Sequence, residues 1–351
     1  MAMLAEMVDA VIGVDTHRDT HEVEIALPTG TPIARTRVSN DSAGAAALLA
    51  WIGRHAPGPR LAVSIEGTRS YGVGLARAVA AAGLLVIECE QPTRKQRRGR
   101  GKSDPIDAHL AVLTALRLDT DRLPTPRADG PREALRILLV ARSEMTTVKT
   151  ARSNRLRALL RTGDDSDRAL ARGTLSAARL AMIARRRGRP DDAVDVAIRR
   201  GEARRLALSV AELDRQLVDN RRQLTALTGQ VAPGLTSRVG IGPVSAAQAI
   251  VSWSHPGRCR SDAAFAALAG TNPIPASSGQ TIRHRLNRGG DRQLNKATHD
   301  IAKTRMRCCP RTRAYMARRT AEGKTDREIR RCLKRYITRE LYRALEATAT
   351  P

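Results

Sequence analysis

Ala10-Val11-Ile12-Gly13-Val14-Asp15 is a short apolar run that ends in an acid, and residues His21 to Leu27 then alternate polar with apolar. The two segments read as strands joined by a turn from Thr16 to Thr20. Pro32 to Val38 reads as a third strand, and Ser42 to Ile52 as an Ala/Leu-rich helix with Ser42 available to cap it. Leu61-Ala62-Val63-Ser64-Ile65-Glu66 is a fourth strand, again closing on an acid. An amphipathic helix from Tyr71 to Ala82, a strand from Leu84 to Glu88 and a helix starting at Asp104 complete the series. The element order is three strands, helix, strand, helix, strand, helix.

The last of these helices opens in the stretch Gly101-Lys102-Ser103-Asp104-Pro105-Ile106-Asp107-Ala108-His109, directly after the basic run Arg94-Lys95-Gln96-Arg97-Arg98-Gly99-Arg100. Positions three apart share a helix face, so Asp104 and Asp107 can address one cation or one phosphate together. Asp-Pro-x-Asp is also the pattern of an ordinary helix start, with Asp104 as N-cap, Pro105 at the first helical position and Asp107 facing the positive end of the dipole. Taken alone, this stretch favours the cap.

The element order is that of the ribonuclease H-like fold, with Asp15, Glu66, Asp104 and Asp107 at central strand ends and on the late helix. One strand-terminal acid equally well ends a strand, and Asp19 and Asp41 read as loop residues. The joint placement of four is what points to a site. Four converging carboxylates repel one another unless divalent cations neutralise them. Two oxygen-liganded Mg²⁺ ions would polarise a phosphodiester for in-line attack.

Composition points the same way. The 351 residues carry 61 Lys+Arg against 35 Asp+Glu, a formal net charge of +26, and the bases are mostly arginine. Arginine forks match phosphate oxygens bidentately, which makes nucleic acid the leading partner. Aromatic residues are only 2% of the chain, so contacts should be to phosphates and duplex shape more than to stacked bases. The five cysteines show no CxxC pair, and His255 and Cys259 have no second pair to complete a zinc set. No apolar run reaches membrane-spanning length and no leader pattern opens the chain, so the expected setting is cytoplasmic, nucleoid-associated when active, with no membrane partner.

Residues Pro131 to Arg161 read as one long helix, Gly163 to Pro190 as a turn with a short helical piece, and Asp191 to Thr228 as a second long helix. Leu206, Val210, Leu213, Leu217, Asn220, Leu224 and Leu227 are spaced alternately four and three, a coiled-coil seam whose partner is either the first helix or another subunit. Further on, Gly240-Ile241-Gly242-Pro243 is a glycine-rich turn of the helix-hairpin-helix kind, able to offer backbone N–H groups to phosphate through Gly240 and Gly242. A helix from Arg260 to Gly270 and a rigid turn from Thr271 to Ala276 precede Ser277-Ser278-Gly279 and the basic residues Arg283, Arg285 and Arg288. On residue chemistry alone this is a phosphate-binding loop, with no hydrolase elbow around either serine.

Three blocks, Gly13-Val14-Asp15-Thr16-His17, Ile65 through Gly72, and Lys102 through Ala108, resemble those of the DEDD transposases of the insertion-sequence one-ten family. Gly240-Ile241-Gly242-Pro243 and the segment from Phe265 through Ser278-Gly279 to Gly290-Asp291 resemble that family's C-terminal domain; Glu66-Gly67-Thr68 stands where the family often has Glu-Thr-Gly. The resemblance implies an α/β plus all-α chain: a RuvC-like nuclease domain over residues 1–125, a helical coiled-coil region over 126–230 and a mostly helical transposase domain over 231–351. It further implies Asp15, Glu66, Asp104 and Asp107 as metal-binding acids and Ser278, with Ser277 as its neighbour and rival, as the nucleophile. Implied partners are double-stranded DNA, a structured non-coding bridge RNA and other copies of the chain, as a dimer or tetramer. The nucleic-acid-binding residues expected are Arg94, Lys95, Arg97, Arg98, Arg100, Lys102, Gly240, Gly242, Arg283, Arg285 and Arg288. The expected activity is cutting and rejoining DNA for transposition. A metal-only Holliday-junction-type nuclease and a non-enzymatic basic nucleic-acid-binding protein are the alternatives.

Overall fold

The structure is a computed structural model that describes residues 2–89, 104–188, 190–276 and 284–349. Its contacts divide into two compact units: Met1–Glu133 with Ser252–Asn295 and Arg331–Pro351, and Ala134–Val251 with Lys296–Arg330. The chain is mixed α/β, with strands concentrated at the N-terminal end and helices predominating after it. Among the described residues no helix is long and apolar enough to cross a membrane.

In the first unit, β1 (Ala10–Thr16), β2 (Thr20–Ala26) and β3 (Pro32–Ser39) form an antiparallel meander. The strands β4 (Leu61–Glu66) and β5 (Leu85–Cys89) add in parallel on the other side of β1, giving the order β3-β2-β1-β4-β5. This order and these strand directions are consistent with a RuvC-like domain. After the short α1 (Leu4–Met7), the helices α2 (Ser42–His55) and α3 (Val73–Ala81) cover one face. There Ile12, Val14, Ile65 and Val63 pack with Leu48 and Ile52 of α2 and Leu75 and Val79 of α3. The cap of α2 is Asp41, whose carboxylate accepts from the Gly44 amide at 2.7 Å, so the acid read as a loop residue does the work expected of Ser42.

The other face carries α4 (Asp104–Leu116), which buries Val112, Ala115 and Leu116 against Val11, Ala62 and Ile87. Side chains alternate across a strand, so one row of paired residues faces α4 at a time. The row Glu24, Gly13, Ser64 seats the helix. Gly13 meets the Ala108 carbonyl, and a β-carbon there would lie 2.6 Å from Cγ2 of Val112, so α4 runs where only glycine permits. Ser64 donates its hydroxyl to the Ala111 carbonyl at 3.0 Å. Glu24, 1% exposed, accepts from His109 Nδ1 at 2.5 Å and from Arg35 Nε at 2.7 Å.

The C-terminal part of this unit is helical apart from one ribbon. The helix α10 (Asp262–Leu268) packs against α13 (Asp326–Ala349): Arg339 and Arg343 both reach Asp262, and Tyr342 donates to the Cys259 carbonyl at 2.8 Å. The segment read as a rigid turn at Thr271 to Ala276 contains a strand, β6 (Pro273–Pro275), paired antiparallel with β7 (His284–Leu286).

In the second unit, α5 (Gly130–Arg161) and α8 (Val194–Val231) run antiparallel, with α6 (Asp165–Ala171) and α7 (Ala177–Arg185) between them in sequence. Arg142 meets the Leu217 carbonyl at 3.1 Å, Lys149 pairs with Asp214, and Arg152 with Ser209, so partner numbers fall on α8 as they rise on α5. The seam residues Leu206, Val210, Leu213, Asn220 and Leu224 are buried. Asn220 is satisfied within the chain: its amide donates to the Leu138 carbonyl at 2.9 Å, and its oxygen faces Arg142. The seam therefore closes on the first helix of the same chain. The helix α9 (Pro243–Trp253) follows the Gly240 turn; α11 (Arg292–Cys308) and α12 (Pro310–Ala321) come later.

Gly13→Ala is expected to cost about 1–3 kcal/mol in denaturant unfolding, because α4 has to move off the sheet. Gly53→Ala, on α2 with nothing within 4 Å of a new β-carbon, is expected to be neutral or slightly stabilising. Equal effects at the two positions would contradict the seating described.

Candidate active site

Two residues along from the seating row, toward the strand ends, the same face presents Glu22, Asp15, Glu66 and Cys89. Asp15 pairs with Glu22, Glu66 pairs with Cys89, and the β1–β4 ladder reaches Val14 and Ile65 one step before. Asp15 and Glu66 are buried, at 5% and 7% exposure. Asp107, 6% exposed, lies in the first turn of α4 and four residues before Ala111, which holds Ser64. Asp104 begins the same helix, and its side chain lies outside what is described. The fold thus puts Asp15, Glu66 and Asp107 on the α4 side of the sheet.

The loop after Glu66 is tightly built. The Thr16 hydroxyl donates to the Glu66 carbonyl at 2.9 Å. Gly67 has φ +67°, and a side chain there would also meet the Thr16 hydroxyl at 2.7 Å. The glycine displaced by one position relative to Glu-Thr-Gly is thus required by this turn. His17, half exposed, brings Nε2 within 3.2 Å of Asp15 Oδ2. Among the described residues no three of His, Cys, Asp and Glu come close enough together to hold a metal ion. Asp15, Glu66 and Asp107 nevertheless offer carboxylate oxygens, the donors that suit a hard divalent cation.

Glu88 is an acid of a different kind. It pairs with Ile65, so it faces the α2 and α3 side. Arg127, 9% exposed, donates both Nε, at 2.9 Å, and Nη2 to its Oε1. Burial alone would raise the Glu88 carboxyl, but the Arg127 hydrogen bonds and charge, with help from Thr68 and Arg69, hold it below its ordinary value.

The expected serine loop is only bracketed. Ser277, Ser278 and Arg283 lie outside the described residues, as do Arg94, Lys95, Arg97, Arg98, Arg100 and Lys102. Arg285 on β7 and Arg288 after it are exposed. Gly240 and Gly242 belong to the second unit, where Gly240 has φ +81° and packs against Ile301 and Arg305. The Gly242 amide donates to the Ser245 hydroxyl at 3.1 Å, within its own turn. A cleft of about 720 Å³ in the helical unit is lined by Asn154, Arg157, Arg161, Arg168 and Arg172. The residues that sequence reading passed over are Glu24, Ser64, His17 and His109. Glu24 and Ser64 were signalled only by their place in strand patterns, whereas His17 follows β1 and His109 lies on α4.

A family model described as "Transposase", for the DEDD transposases of IS110, matches residues 12–163, and a second, "Transposase IS116/IS110/IS902 family", matches residues 232–317. The chain belongs to the IS110 family of transposases. The first match encloses Asp15, Glu66, Asp104 and Asp107, and the second encloses Ser278. The chain is also 34% identical over 123 residues to a Streptomyces coelicolor protein named "Insertion element IS110 uncharacterized 43.6 kDa protein". That alignment covers 34% of this chain and 30% of the length of that IS110 relative.

Because the folded carboxyl of Glu88 is lowered, its contribution to stability is full above its ordinary value near 4.5 and is lost as pH falls through the lowered one. Arg127→Met strands a buried carboxylate and is expected to cost about 3–5 kcal/mol at neutral pH. The gap to the unsubstituted protein should narrow on acidification in denaturant melts taken as a pH series, and a gap independent of pH would count against the pair.

Proposed function

We propose that this chain is a DNA recombinase that cuts and rejoins strands for insertion-sequence transposition, using the carboxylate row and Ser278 together. The observation that carries this reading is the single row in which Asp15 and Glu66 stand beneath the first turn of α4, with Asp107 buried there too. Buried like charges at strand ends are electrostatically costly unless opposite charge balances them, which bound cations would do. Asp15, Glu66, Asp107 and Asp104 would hold divalent metal, most suitably two Mg²⁺ ions, which when bound would stabilise charge developing on a phosphodiester. Ser278 Oγ would attack phosphorus, forming an O–P bond as the bond to the departing strand oxygen breaks. The serine proton passes to a base, the leaving oxygen takes up a proton, and rejoining is the reverse attack by a strand hydroxyl on the phosphoserine. The basic residues from Arg94 to Lys102, with Arg283, Arg285 and Arg288, would grip the nucleic acid.

Guidance by a structured bridge RNA and assembly as a dimer or tetramer belong to the same proposal, supported by family membership and by the +26 charge. The helical hairpin of α5 and α8 leaves Val218 and Leu208 exposed, which gives an assembly a surface on that unit.

On suicide DNA substrates a covalent protein–DNA adduct is expected, lost in Ser278→Ala and kept in Ser277→Ala. Asp15→Asn or Glu66→Gln should abolish it by at least a hundredfold, the scale of losing a principal electrostatic contributor. The opposite serine pattern moves the nucleophile to Ser277. Cleavage that persists in both serine variants without an adduct supports a metal-only nuclease, a reading favoured by the carboxylate row being assembled from the N-terminal segment alone.

A further inference from the structure

The helical unit carries an open cleft of about 720 Å³ where α5 ends and α6 runs into the loop after it. Arg157, Arg161, Arg168 and Arg172 line it together with Asn154, and no acid is among the lining residues. Arg157 and Arg161 are four apart on α5; Arg168 and Arg172 are four apart on α6 and its C-cap. Positions four apart share a helix face, and like charges there are mildly destabilising, so this repeated pattern does nothing for the fold. On α8 the neighbouring charges have opposite signs instead, as in Glu202–Arg205 and Glu212–Arg215.

Two of the four arginines are held by backbone. Arg157 donates to the Gly173 carbonyl at 3.4 Å, and Arg168 to the Gly163 carbonyl at 2.6 Å. Arg179 takes the Arg172 carbonyl and, at 3.3 Å, that of Thr174. Gly173, at φ +73°, lets the loop close in this way, because a β-carbon there would come to 3.2 Å of Arg179 Nη1. A carbonyl orients a guanidinium without cancelling its charge. The nearby acids are engaged elsewhere: Asp167 is buried against Arg186, and Asp164 caps α6 and faces Arg200 at 3.7 Å. Asp165 pairs with Arg168, an exposed ion pair of the kind that adds little. Arg161 and Arg172 are exposed, and among the described residues neither side chain has a hydrogen bond or an ion pair.

We propose that this cleft binds the sugar–phosphate backbone of a nucleic acid, with Arg161 and Arg172 as its open contacts and Arg157 and Arg168 as its anchored ones. Guanidinium forks match the two free oxygens of a phosphodiester, and a phosphate between them relieves the repulsion of the paired like charges. No aromatic ring lines the cleft for a base to stack on, and Ala171 is its one apolar side chain, so the backbone is what it is built to hold. The inference rests on the function proposed above only for the ligand being a nucleic acid, and requires neither metal nor Ser278.

The test is binding of a duplex DNA and a hairpin RNA of matched length, by fluorescence anisotropy over a salt series, with the full chain and no divalent metal. The variants are Arg161→Gln, Arg172→Gln and their double substitution, at side chains that bond to no other part of the described fold. Each lost phosphate contact should reduce the slope of log K against log salt by about 0.9 on duplex DNA, and the double substitution by about twice that. Asn154→Asp places a carboxylate in the cleft at an exposed position and should weaken binding too. Arg222→Gln, at a side chain 79% exposed on α8, removes the same charge from outside the cleft and should change the slope less. A reduction with DNA alone or RNA alone supports the site and names its nucleic acid. Slopes unchanged with both overturn it, as does a fall no larger than that of Arg222→Gln, or an Asn154→Asp protein that binds as tightly as the unsubstituted chain. A poly-glutamate peptide whose binding is lost in the double substitution while both nucleic-acid slopes hold would assign the cleft to an acidic peptide and overturn the proposal as well. An adduct with unchanged slopes defeats this site alone; reduced slopes without an adduct defeat the recombinase reading alone.

Discussion

The contact on which the site depends is the seating of α4 across Glu24, Gly13 and Ser64. Three neighbouring strands each give the helix something different: a carboxylate for His109, an absent side chain for the Ala108 backbone, and a hydroxyl for the Ala111 carbonyl. Side chains repeat every two residues along a strand, so the next row on that face is the one with Asp15 and Glu66. Helix geometry then carries Asp107 to that row, since it lies one turn before Ala111. Registering the helix one residue off would turn Asp107 away from the sheet.

Charge is distributed unevenly to make this tolerable. On α8 several acids are paired locally with arginines three residues away, in Glu202–Arg205, Glu212–Arg215 and Asp219–Arg222. Such exposed pairs add little stability. Arginines gather instead in the cleft lined by Arg157, Arg161, Arg168 and Arg172. Only Arg-rich composition was visible in the sequence; which arginines remain available to a polyanion depends on these local pairings.

The strands were legible because each alternates or runs apolar and then stops on an acid, and the boundaries read for β1 to β5 differ from the structure by at most one residue at either end. Glu24 was not legible as a buried residue. His21-Glu22-Val23-Glu24 has the pattern of a strand with one wet face, and that face is dry only because α4 crosses it. The prolines at 273 and 275 hid β6 for a related reason: proline is tolerated on an edge strand, and the partner strand lies beyond residues 277–283. Spacing alone revealed the α8 seam, but the identity of its partner required the Asn220–Leu138 bond.

A ribbon of two three-residue strands has no stability of its own, yet the residues flanking it are fixed. Gly290, at φ +88°, meets the Leu268 carbonyl, and Gly270, at φ +62°, lies against the Gly289 carbonyl, where a β-carbon would come to 2.7 Å. Asn287 bonds Asn272 across the base at 2.7 Å. Asp291 both caps α11, accepting from Gln293 and Leu294 amides at 2.9 Å, and receives the Ser252 hydroxyl. The glycines of the Gly289-Gly290-Asp291 block thus do for the ribbon what Gly13 does for α4: they let backbone meet backbone where a side chain would hold them apart. The two places where chemistry is expected are therefore set by close backbone approach, which tolerates less variation than side-chain packing, because a carbonyl cannot change rotamer to make room.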